Sequence, residues 1–173
     1  MRGVDFTYVA RTARGGAVLD RILPKQIDNV FRGHWLALGL FGLFVALRLV
    51  MGANSALNAR SVASGADGIP IDGLGSAGDI VVRLFSLQGF SSLVLALLAL
   101  LVLIRYRAMV PLMFLVFLVE LLGRRGLAVL NPIAPPEGRT PVGFYINLGL
   151  LLIVVLGLAL SLVGPSGPVD RPA

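Results

Sequence analysis

The chain of 173 residues contains no cysteine. That removes structural disulfides, thiol redox chemistry, thiolate metal sites and thioether-linked haem together. A single histidine, His34, leaves no second imidazole for a metal or a bis-histidine haem within one chain. Charge is scarce as well: 14% of residues are Asp, Glu, Lys or Arg, against 57% hydrophobic. A soluble domain needs more polar surface than this to cover its core. Lysine occurs once, at Lys25, and the other 14 basic residues are arginines. With abundant Ala, Gly, Val and Leu, that preference fits a GC-rich bacterial genome.

Long apolar runs are what the chain has in excess. Four stand out, at about 34–51, 81–104, 108–122 and 144–163. A helix crossing the hydrocarbon core needs about 20 mainly apolar residues. Three runs meet that length, and 108–122 does so when its charged ends are counted. The pattern predicts an all-α integral membrane protein, a four-transmembrane-helix bundle with an N-terminal amphipathic interfacial helix. Residues 1–33 form a basic cytoplasmic segment, 34–163 the single membrane domain and 164–173 a cytoplasmic tail. Within the first segment Leu19, Ile22, Leu23, Ile27, Val30 and Phe31 recur at helical spacing, with Arg21, Lys25, Asp28 and Arg32 between them. Pro24 either starts or kinks that helix. A cleaved leader is not expected, because the first apolar run begins near residue 34 behind basic residues and contains Arg48.

The net charge of +6 flanks the apolar runs rather than forming one solvated patch with interleaved aromatics. Nucleic acid is therefore not an expected partner. Basic residues accumulate on the cytoplasmic side of a membrane protein. With both termini inside, that side collects nine Lys and Arg residues and the other side four, setting aside Arg48 and Arg83. The expected location is a bacterial inner membrane, multi-pass, with N and C termini cytoplasmic. Trp35, Lys25, Arg32, Arg105 and Arg107 fall where interfacial anchors belong.

Ionisable groups inside apolar runs are costly and must face the bundle, pair or snorkel. Arg48 lies about 14 residues into the first run and Glu120 about 12 into the third, so at 1.5 Å per residue both rise to similar depths, about 18–21 Å from the inner face. Three partners are open to Glu120: Arg124 one turn on, Arg48 across the bundle, and Arg83. Gln88, Ser91, Ser92, Tyr145 and Asn147 occupy the same outer half. The candidate polar cluster is thus Arg48, Glu120, Arg124, Arg83, Gln88 and Asn147. The inner halves hold scarcely a polar group, which argues against a path for ions through one chain. Gly42 with Ala46, Ser92 with Ala96 and Gly157 with Ser161 supply small residues four apart, a spacing that lets helices approach.

Catalytic constellations are missing: no nucleophile beside a histidine, no metal motif, no glycine-rich phosphate loop, no paired carboxylates. The stretch from Asp67 to Gly73 lacks the alternating ligands and final Glu of a calcium loop. The first outer loop, Gly52–Asp79, reads as a turn-rich cover, and the second, about 123–143, as an extended proline-rich return. No enzymatic activity, metal or cofactor is expected. The leading expectation is a protein acting by association, as an accessory or assembly subunit of a membrane complex or as a homo-oligomer. The alternative is a binder of lipid or another small apolar ligand through the outer polar cluster, and a third is an oligomeric transporter.

Overall fold

The computed structural model describes residues 18–24, 26–131 and 142–163. Among them helices dominate and no strand occurs. After a short helical stretch at 18–22, five α-helices follow in order: α1 (Trp35–Leu57), α2 (Ala59–Gly65), α3 (Ser76–Arg105), α4 (Val110–Leu130) and α5 (Val142–Leu162). The segment 1–17, Lys25, the proline-rich return at 132–141 and the tail 164–173 lie outside the described residues.

Local chemistry explains where these helices stop. His34 caps α1, its Nδ1 accepting the Leu36 N–H at 3.3 Å. The helix runs six residues past its expected end at Met51, because falling hydropathy is not a breaker and Gly52–Leu57 holds no proline. It ends at Asn58, whose side-chain amide turns back to Asn54 at 2.9 Å. A 3-10 turn at Ile71–Leu74 leads to Gly75, which adopts a φ of 53° and so releases the chain into α3. One further 3-10 turn, Arg107–Met109, joins α3 to α4, and Pro111 sits in the first turn of α4 where no donor is needed. The α4 helix extends eight residues beyond the expected Leu122, to Leu130.

Helices α1, α3 and α5 are long and apolar enough to cross a membrane. Helix α4 has 21 residues, but Glu120, Arg124 and Arg125 interrupt its apolar run.

The central element is α1, which lies along α3 and α5 while α4 packs on α5. Side-chain size sets each approach. Toward α1, α3 presents Gly89, Ser92, Ala96 and Ala99, all buried. A Cβ on Gly52 would stand 2.9 Å from the Leu93 backbone nitrogen, and one on Gly89 would overlap the backbone of Ser55 and Ala56. Between α1 and α4 the reverse holds, because aromatic rings keep the backbones apart. Phe41 meets Phe114 edge to face at 5.1 Å, and Phe44 meets Phe117 at 4.6 Å. All four rings are fully buried, and the Phe114 ring lies against Gly157 of α5. Both members of each pair advance together, so α1 and α4 run parallel.

The N-terminal amphipathic helix expected over Leu19–Arg32 is reduced to residues 18–22. Pro24 lacks an N–H, and Asp28 bonds its own neighbour instead, accepting the Val30 N–H at 3.1 Å. Arg32 also pairs with Asp28 at 2.7 Å, and chiefly through that contact holds its carboxyl below the ordinary value. From there the segment straps one end of the bundle. The Ala108 N–H donates to the Asp28 carbonyl at 3.3 Å, the His34 N–H to the Leu160 carbonyl at 3.2 Å, and Arg21 to the Leu162 carbonyl.

At the opposite end, the stretch expected to be a turn-rich cover is largely folded. Ala59, Ala63 and Ile71 are buried, and Arg60 bonds Asp72 at 3.1 Å and Asp79 at 2.9 Å. The Gly143 N–H donates to the Ala66 carbonyl at 3.0 Å, closing this cover onto the start of α5. Beside it, burial pushes the Asp67 carboxyl above its ordinary value of 3.8. With the folded value above the unfolded one, ionisation opposes folding; the penalty is absent below 3.8 and grows as pH rises through the raised value. Asp67→Asn should therefore melt above the wild type near neutral pH and with it near pH 3. Equal melting temperatures at both pH values would contradict this account.

Candidate functional site

Helices α1, α3 and α4 bring five polar side chains together beyond the phenylalanine pairs. Arg48 stands about 20 Å along α1 from Trp35, at the level where α4 carries Glu120. The Arg48 Nη2 donates to both Glu120 carboxylate oxygens at 2.5 Å. Arg124 Nη2 donates to Glu120 Oε1 at 2.6 Å and to Ser92 Oγ at 3.1 Å. A guanidinium offers only donors, so the Gln88 amide oxygen must face it, and in that orientation accepts from Arg124 Nη1 at 2.9 Å. The side chains grow more accessible outward from α1, from 5% for Arg48 through 20% for Glu120 to 39% for Arg124.

The two partners open to Glu120 on α1 and on its own helix are engaged at once. Arg83 takes no part, being an exposed residue of α3 with no side-chain hydrogen bond or ion pair among the described residues. Asn147 also stands apart, its amide donating to the Gly143 carbonyl of its own helix at 2.8 Å. Ser92 joins through Arg124. Sequence reasoning missed Arg125, whose guanidinium lies 4.1 Å from the Phe144 ring centroid and donates to the Phe144 carbonyl at 3.1 Å. Helical spacing held that clue, since Arg125 follows Arg124 by 100° and must face a different neighbour. Of the expected anchors, Trp35 stacks on His34 and is 72% exposed at the head of α1. Arg105 and Arg107 flank the α3–α4 turn, both exposed, and Arg32 belongs to the N-terminal strap.

The cluster has three features relevant to its chemistry. Two guanidiniums share one carboxylate, leaving one positive charge in excess. Arg48 Nε is buried with no hydrogen-bond partner, while the Arg48 guanidinium lies 5.5 Å from the Phe117 ring centroid. The carboxylate accepts from both guanidiniums, an arrangement that ties α1 to α4. Among the described residues no group of His, Asp and Glu gathers as a metal-ligand set.

Known proteins offer no guide: no family model, curated protein or solved structure matches this chain.

Proposed function

We propose that this is a small non-enzymatic protein of a bacterial inner membrane, crossing it four times with both termini cytoplasmic. It acts by association, as an accessory or assembly subunit of a larger complex or as a homo-oligomer. In this reading α4 is the fourth crossing. Its 21 residues span about 31 Å at 1.5 Å each, enough for the hydrocarbon core. Glu120 is neutralised by Arg48 and Arg124, which lowers the cost of holding it there.

The observation that carries the proposal is how the polar groups are spent. Arg48, Glu120, Arg124, Ser92 and Gln88 bind one another, and the half of the bundle toward Trp35 is filled by Phe41, Phe44, Val110, Met113, Phe114 and Val154. That packing offers substrate or ion no polar way through and exposes no nucleophile. What the helices do present outward is apolar, including Leu43, Leu47, Leu97, Leu101, Leu152 and Leu156. Lipid or another membrane helix covers such faces equally well.

Two measurements test this. Extraction in mild detergent, then sizing and crosslinking, should give a particle larger than one chain; a strictly monomeric particle with no companion speaks against association. A chain without cysteine also permits clean single-cysteine labelling. Ser61→Cys and Asn131→Cys should react with an impermeant maleimide applied to the periplasmic side, and Arg107→Cys should not. Asn131→Cys and Arg107→Cys reacting from the same side would remove the α4 crossing.

A further inference from the structure

The geometry points to a binding site for the phosphate group of an anionic phospholipid at Arg124 and Arg125, where α4 nears its far end. The inference rests on α4 crossing the bilayer as proposed above. It begins with charge. Arg48, Arg124 and Arg125 lie within or beside the cluster and Glu120 is its one carboxylate among the described residues, so two positive charges there exceed the negative.

Placement identifies what compensates them. The backbones of α3 and α4 approach each other little along their length, and Arg124 bridges them by reaching Ser92. The cluster therefore opens sideways, with Gln88 exposed, Glu120 partly so and the Arg124 side chain 39% exposed. Arg124 lies about 21 Å beyond Val110 along α4, and a snorkelling guanidinium adds several Å, reaching the level of headgroup phosphates. Below the cluster the lipid-facing sides of α3 and α4 are apolar: Val94, Leu97 and Leu101 on one, Val116 and Val119 on the other, all exposed. A soluble anion has no use for that surface, whereas acyl chains cover it. Arg48 and Glu120 set the site by fixing Arg124, and Phe144 holds Arg125, the next residue of α4, at the same end of the helix. A zwitterionic lipid brings its own cation and meets the excess charge less well.

The test uses the whole protein, delipidated in mild detergent, with native mass spectrometry as readout. Dioleoylphosphatidylglycerol should be retained over dioleoylphosphatidylcholine, and each lost arginine should weaken retention about fivefold. Arg124→Gln and Arg125→Gln supply the two arms. Arg125 lies outside the Glu120 ion pairs, so Arg125→Gln keeps the site testable if Arg124→Gln fails to fold. Arg105→Gln with Arg107→Gln, at the other end of the bundle, should leave retention unchanged. Equal retention of the two lipids, or undiminished retention in Arg125→Gln, overturns the site. Displacement of the lipid by millimolar inorganic phosphate would overturn it too, assigning the charge to a soluble anion. Asn131→Cys labelling reports on the α4 crossing separately, so loss of lipid preference with that crossing intact condemns this inference alone.

Discussion

Glu120→Leu should destabilise the protein by about 3–5 kcal/mol, the cost of leaving a buried charge without its partner. Arg48 is the charge at issue: its side chain is 5% exposed, its Nε already lacks an acceptor, and both of its carboxylate contacts go to Glu120. The reciprocal change is expected to be milder. In Arg48→Met the carboxylate keeps Arg124 at 2.6 Å, and the new side chain fills the same volume beside Phe117. Combining Arg48→Met with Glu120→Leu should recover most of the loss, because two apolar groups replace a pair whose desolvation offset much of its attraction. Reversible unfolding in mixed micelles, measured for the two single variants and the double, gives the coupling. A Glu120→Leu protein as stable as the wild type would show that the ion pair does not hold α1 to α4.

Gly89→Leu is the second large effect. A Cβ at position 89 would stand 2.5 Å from the Ser55 carbonyl carbon, so the obstacle is backbone, which cannot rotate aside. The α1–α3 contact must open along its length, with a loss of about 1–3 kcal/mol or more from overpacking. Gly123 is the control: a Cβ there meets nothing within 4 Å. Gly123→Ala should stabilise α4 by roughly 0.5–1 kcal/mol through helix propensity alone. Thermal unfolding of both variants in one detergent decides the matter. If Gly89→Leu and Gly123→Ala behaved alike, close approach at Gly52 and Gly89 would not be what packs α1 on α3. Failure of Gly89→Leu with Gly123→Ala intact would place this crossing among the main supports of the bundle.

The helices' positions could be read from composition and rise, but their ends less well. Hydropathy located the apolar centre of every long helix yet stopped α1 at Met51 and α4 at Leu122, because hydropathy falls off before the chain meets Asn58 or Asn131. The interfacial helix failed for a different reason: the spacing of Leu19, Ile22, Leu23, Ile27 and Val30 is helical, but Pro24 and the Asp28 turn claim the backbone first. Spacing along the chain favours Gly42 with Ala46 as a contact, whereas close approach falls at Gly52 and Gly89. Gly42 meets only the Leu103 side chain, at an ordinary 3.7 Å, and Ala46 is exposed. Spacing along one helix does not say which face its neighbour occupies.

The amino-acid sequence by itself determined an all-helical chain with long apolar segments, and it set Arg48 and Glu120 at similar heights, since length and rise are local properties of a helix. Only the tertiary structure decided that one carboxylate serves two guanidiniums, that Arg83 and Asn147 stand outside, and that Arg125 turns to Phe144. Those outcomes depend on rotation of each helix about its axis and on the distance to its neighbour. Small residues on α3 and phenylalanines between α1 and α4 set both, and only when the helices are packed together.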